Sequence, residues 1–153
     1  MLTRLNDALP RPRWLAHSAD PVFRVLTSLI FIVGGLGHFG QHDEMLQRIA
    51  ESPWRDQIAL VGDASALLWL SGAVFIGFGA SLALGLWARL SALMLFVTLV
   101  PITIAIHVAP GQMGPLFKNV AILGALFFIY VRGAGQFSMD RTIARRKLPP
   151  TRK

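Results

Sequence analysis

Two of the four histidines, His38 and His42, sit in the stretch "GGLGHFGQHDEM" at residues 34–45, where a long apolar run gives out. Four residues apart, they share one helical face. His107 closes another apolar run, and Lys118 with Asn119 opens the last one in "PLFKNV". Imidazole titrates near neutral pH, and with lysine it supplies hydrogen-bond donors and a proton route. Carbonyl oxygens on a quinone headgroup are a ligand that such a set suits, so His38, His107, Lys118 and Asn119 form the first candidate site. Metal binding is the rival. His38 and His42 at i and i+4, with His107 and an oxygen ligand from Asp43 or Glu44, use acceptable donor types. No HExxH pattern and no cysteine supports a metal, and nothing else in the chain suggests haem.

Each residue also has a plainer reading. Lys118 alone fits a lysine that snorkels to the lipid headgroups. His42 fits an ordinary loop residue, and Asp63 a helix N-cap. His38 and His107, taken singly, fit core histidines bonded to a neighbouring carbonyl. What favours a shared pocket is cost. An ionisable group in a membrane span is unfavourable by about 2.5–3.5 kcal/mol at the centre, less near the ends, and such groups tend to face the bundle interior.

The elements that must carry these residues are membrane spans. Hydrophobic residues make up 54% of the 153 and charged residues 15%, against about 25% charged in average soluble domains; mean hydropathy is +0.54. No ionisable side chain occurs from Ala64 to Ala88, and only His107 between Leu90 and Phe117. About 20 mostly apolar residues cross a bilayer core. The chain therefore reads as one all-α domain, an integral membrane four-helix bundle. Spans are expected at about 21–41, 63–87, 88–108 and 116–132, after a polar segment 1–20 and before a basic tail 133–153. Pro10 and Pro12 keep "PRPRW" out of a helix interior, and Pro21 suits a first helical turn. The first span reads as an uncleaved helix, since no small-residue cleavage site precedes the polar loop. Met45, Leu46 and Ile49 recur at helical spacing in the 42–62 loop, which predicts a short interfacial helix. "APGQMGP" at 109–115 is a loop.

Basic residues set the expected orientation. Arg4, Arg11, Arg13, Arg24, Arg89 and the tail gather on one side of a four-span topology. The positive-inside rule puts that side, and both termini, in the cytoplasm, with Trp87 and Tyr130 as inner-interface anchors. The protein is then a multi-pass inner (plasma) membrane protein. The candidate residues lie in the outer leaflet, within ~5 Å of the interface at ~1.5 Å rise per residue. The net charge of +7 serves orientation and anionic lipid rather than nucleic acid. Ala73, Gly77, Ser81 and Gly85 form a small-residue stripe expected to pack span two against its neighbours. Pro101 is expected to kink or loosen span three and so aim His107. The absence of cysteine excludes disulfides and thiolate chemistry.

With the spans placed, four stretches carry a family resemblance: "RVLTSLIFIVGGLGHF" at 24–39, "LALGLWARLSALML" at 82–95, "FKNVAILGALFFIY" at 117–130 and "GAGQFSMD" at 133–140. In order and spacing the sequence resembles the DoxX family of small four-helix membrane proteins. His38 falls where a polar residue closes the family's first helix. His107 falls where a histidine often ends the third, and Lys118 with Asn119 in a phenylalanine–x–lysine–asparagine motif; Met139 replaces a leucine in the family's Ser-Leu-Asp. The resemblance implies redox work at a membrane: some relatives are subunits of thiosulfate:quinone oxidoreductase, others join oxidative-stress complexes with soluble redox enzymes. Without cysteine, this chain cannot hold sulfur as a protein persulfide. The expected function is a redox-linked subunit that binds a quinone and works with a partner redox protein. The alternatives are a non-catalytic anchor or assembly subunit and a metal-handling protein. Expected partners are membrane lipids and a redox protein or other membrane subunit, with homo-oligomerisation open.

Overall fold

The computed structural model describes residues 12–147. These form helices α1 (Arg13–Gly40), α2 (His42–Ala50), α3 (Arg55–Val61), α4 (Ala64–Leu84), α5 (Ala88–Ile102), a π-helical turn (Thr103–His107), α6 (Met113–Arg132) and α7 (Met139–Lys147). No strand occurs among the described residues. Four stretches are long and apolar enough to cross a bilayer: His17–Gly40, Ala64–Leu84, Ala88–His107 and Met113–Arg132. This is a multi-pass membrane protein built on a four-helix bundle. Its surface carries the exposed Leu26, Val33, Leu70, Val97 and Phe127, the outward apolar face that acyl chains require. Arg4, Arg11, Arg152 and Lys153, which entered the orientation argument, lie outside the described residues.

Helix α1 begins at Arg13, directly after Pro12, rather than at the expected Pro21. Pro12, its N-cap, sets the start. Pro21 falls inside the helix, where its cost is one backbone donor to the His17 carbonyl. The 42–62 loop holds two short helices instead of one. Asp63 is the N-cap of α4, its carboxylate accepting the Ala66 N–H at 2.8 Å.

The bundle core follows a spacing of four then three residues. On α1 the buried positions are Arg24, Ser28, Phe31, Gly35 and His38; on α4 they are Leu68, Gly72, Phe75, Gly79 and Leu82. A 4-3-4-3 repeat keeps one seam facing a neighbouring helix, as in coiled-coil packing. Close approach of α1 and α4 rests on glycine. A Cβ at Gly72 would lie 2.9 Å from the His38 Cβ and 2.9 Å from Phe39 Cε2. Phe31 and Phe75 meet edge to face at 5.2 Å beside it. The stripe expected to do this packing is one position out of register. Ala73 and Gly77 are exposed, and a Cβ at Gly77 would meet nothing within 4 Å. Of that stripe, only Ser81 and Gly85 turn inward, at the helix end.

That end is closed by Arg24. The guanidinium is 4% exposed. Its Nη2 donates to Phe137 O at 2.9 Å, its Nε to Ala83 O at 3.4 Å and its Nη1 to Ala134 O. Gly85 ends α4 in the left-handed region at φ +68. The Leu86 N–H reaches Ser81 O at 2.9 Å and the Gly85 N–H reaches Leu82 O at 3.0 Å, a Schellman closure that favours glycine. Asp140, from the "GAGQFSMD" segment, then caps α5: its two carboxylate oxygens accept the Trp87 N–H at 2.7 Å and the Ala88 N–H at 3.0 Å. The first residues of the expected basic tail are thus a clasp across α1, α4 and α5.

Two outcomes follow. Gly72→Ala drives backbone apart and should destabilise by about 1–3 kcal/mol, whereas Gly77→Ala should leave the melting temperature in detergent unchanged or slightly raised. Arg24→Lys keeps the charge but loses the three-pronged reach; it should lower stability by about 1.5–3 kcal/mol, the range for hydrogen bonds to a charged group, read by thermal unfolding.

Candidate functional site

Two polar clusters occupy the end of the bundle away from Arg24. The first joins α1 to α4. His38 is 8% exposed, and its Nδ1 lies 2.9 Å from Ser71 Oγ and 3.3 Å from Leu68 O. A carbonyl only accepts, and the Ser71 hydroxyl already donates to Leu68 O at 2.9 Å. Nδ1 therefore carries the proton in the neutral ring, and Nε2 holds the lone pair. Nε2 has no partner among the described residues. One turn on, His42 Nδ1 donates to His38 O at 3.3 Å, and Nε2 accepts from Ser65 Oγ at 2.9 Å. Its ring stacks on Trp69 at 4.6 Å.

The second cluster is built on the π turn. Pro101 lies within α5, and the chain winds through it into Thr103–His107. A π turn carries an extra residue per turn and occurs often at functional sites. Here it is fastened on two sides. Thr103 Oγ1 donates to Leu99 O at 2.7 Å and accepts from Asn119 Nδ2 at 3.0 Å, with both side chains buried. From the 42–62 loop, Ser52 Oγ donates to Ala105 O, and Trp54 Nε1 donates to Val108 O at 3.3 Å. His107 ends this turn half-buried. Its Nδ1 is the buried side-chain nitrogen or oxygen, among the described residues, that lacks a hydrogen-bond partner. The charges of Lys118 and Arg48 act on the ring electrostatically. Lys118 is exposed.

Of the predicted residues, His38 and His42 come together, and His107 gathers with Lys118 and, through Thr103, with Asn119. No hydrogen bond or ring contact joins His38 to His107 among the described residues. What spans both clusters is α2, which packs against α4 and against the π turn. No group of three or more His, Asp or Glu among the described residues is placed to hold a metal ion. Ser65, Ser71, Trp69, Thr103 and Arg48 were not singled out by sequence. Ser71 and Thr103 are hydroxyls in otherwise apolar runs, and that was the available signal.

A small membrane protein with four spans and polar clusters confined to the span ends is the class this fold defines. The sequence profile of the DoxX family matches residues 19–108. The chain belongs to that family. No curated protein and no solved structure matches it. The matched region holds Arg24, His38, His42 and His107; Lys118, Asn119 and the "GAGQFSMD" clasp follow it.

The Asn119–Thr103 bond gives a direct test of how the π turn is held. Thr103→Val and Asn119→Leu should each destabilise by about 1–3 kcal/mol, the penalty for stranding a buried polar partner. The double variant should cost less than the sum of the two, measured as a double-mutant cycle in thermal unfolding.

Proposed function

We propose that this protein is a redox-linked subunit of the inner membrane that binds a quinone headgroup at the outer-leaflet end of its bundle and works with a partner redox protein. The observation that carries the reading is His107: an imidazole with a buried, unbonded Nδ1, held on a π turn within electrostatic reach of Lys118 and Arg48. A buried polar atom without a partner is unfavourable by about 1–3 kcal/mol, and such atoms are uncommon enough to call for an explanation. Rotation of the ring about Cβ–Cγ exchanges the buried nitrogen for the accessible ring edge. With its proton on Nδ1, His107 then donates to a quinone carbonyl, and the Lys118 ammonium supplies a second donor from the headgroup side. Asn119 acts behind them, fixing Thr103 and with it the pitch of the turn. His38 suits a different step. Its Nε2 lone pair fits acceptance of a proton from a hydroquinone hydroxyl, with Ser71 and Leu68 holding the tautomer. The quinone, when bound, supplies the two-electron redox chemistry; these side chains bind it, orient it and move its protons.

A second reading, a non-catalytic anchor or assembly subunit, draws on His38 and His42 being bonded within the chain through α4. It makes the loop at 42–62 and the exposed Lys118 and Arg48 docking groups and assigns no ligand to His107.

Trp54, hydrogen-bonded to Val108 O, is a built-in reporter, since quinones quench indole fluorescence. A short-chain ubiquinone titrated into the full chain in mild detergent should quench it saturably. His107→Ala should weaken the affinity at least tenfold, or ~1.4 kcal/mol, and Trp54→Phe should remove most of the signal. Equal affinity in wild type and His107→Ala, or no saturable quenching, refutes the quinone reading and leaves the anchor.

A further inference from the structure

The opposite end of the bundle holds a second feature that the quinone reading does not use. Where α4 turns into α5, α6 ends and α7 begins, an open cleft of 670 Å³ is lined by Trp87, Arg89, Leu90, Arg132, Asp140 and Arg141, among others. The lining brings three guanidinium groups against one carboxylate. That carboxylate is already committed: both oxygens of Asp140 accept backbone N–H groups of Trp87 and Ala88. Arg132 shares its charge with Asp20, at 3.4 Å and outside the lining, and stacks over Phe128 at 5.6 Å. Arg89 and Arg141 have no carboxylate partner among the described residues. Arg89 makes a long contact to Val131 O at 3.4 Å, which leaves most of its donors unspent.

We propose that this cleft binds a phosphate-bearing anion, either the phosphodiester of a membrane phospholipid or free phosphate. Guanidinium forks match the spacing of phosphate oxygens and bind them in pairs. Depth also fits. The cleft lies where the Ala88–His107 and Met113–Arg132 spans end, the level of lipid headgroups, and Leu90 and the 64%-exposed Trp87 give it an apolar border against which the glycerol and first methylenes of a lipid can lie. The site is distinct from a diffuse basic tail. Its geometry is fixed by the Arg24 clasp, since Ala134 and Ser138, from the segment that clasp holds, also line it.

The test uses the full chain in dodecyl maltoside, a phosphate-free detergent, incubated with either phosphatidylglycerol or diacylglycerol and followed by native mass spectrometry. Retention of phosphatidylglycerol should exceed that of diacylglycerol at least tenfold. In the Arg89→Gln/Arg141→Gln variant, which keeps the Arg132–Asp20 pair and the Asp140 cap, retention should fall at least tenfold, and Arg89→Lys/Arg141→Lys should recover part of it. A parallel arm measures inorganic phosphate binding by equilibrium dialysis in detergent. Binding there, with displacement of retained phosphatidylglycerol, assigns the site to free phosphate; retention of lipid undisturbed by phosphate assigns it to phospholipid. Equal retention of phosphatidylglycerol and diacylglycerol by wild type, without phosphate binding, overturns the proposal whether or not the variants fold. So does a folded Gln variant that retains as much phosphatidylglycerol as wild type.

Discussion

Arg24 is the residue on which the architecture turns. A guanidinium inside an apolar bundle is tolerable only when its donors are met, because desolvating a charge without partners is prohibitive. Three backbone carbonyls from two distant parts of the chain meet them. The bond to Ala83 O fixes the end of α4 against α1. The bonds to Ala134 O and Phe137 O bring the segment after α6 back beneath the bundle. Once that segment is in place, Asp140 reaches the N-terminus of α5. One buried cation thereby sets the relative placement of all four spans at one end, and the glycine at position 85 is small enough to let it do so.

The other end is organised by different means. Among the described residues no buried arginine, lysine or carboxylate ties it. Serine and threonine hydroxyls do, each spanning a short gap between helices: Ser71 to His38, Ser65 to His42, Thr103 to Asn119, Ser52 to the π turn. Such bonds are individually modest, about 1 kcal/mol, and a turn held by them can change its pitch more readily than a helix clasped by a buried arginine. At this end His42 is bonded through both ring nitrogens, His38 through one, and His107 Nδ1 through none, and the polar groups face one another across neighbouring elements.

The two ends are joined along α1. Arg24 and His38 occupy the first and last positions of the same 4-3-4-3 seam, with Ser28, Phe31 and Gly35 between them. The two helices are in close approach along that seam, with no room for a Cβ at Gly72. The seam is the frame on which the 42–62 segment and the π turn are mounted.

By itself the sequence determined the number of spans, their approximate limits, the cap at Asp63 and the family; the loop expected at 109–115 is shorter, because α6 already begins at Met113. These follow from sums over runs of residues: transfer of a run of apolar side chains into lipid is additive, and a proline, glycine or capping carboxylate acts on its own neighbours. It also put His107 and Asn119 at adjacent span ends, where Asn119 bonds Thr103 of the turn that His107 ends. Only the tertiary structure decided which face of each helix turns inward. The stripe Ala73–Gly77–Ser81 and the face carrying Gly72 and Gly79 are both plausible small-residue surfaces in the sequence. The choice depends on what α1 presents opposite: His38 and Phe39 against Gly72, and Phe31 and Ile32 against Gly79. Arg24 reads as one more topogenic charge until the carbonyls of residues 83, 134 and 137 are brought to it from across the fold. His38 and His107 likewise share a depth in the sequence, but packing sends one to the serines of α4 and the other to the π turn, since bonding partners are fixed by neighbours in space and not by distance along the chain.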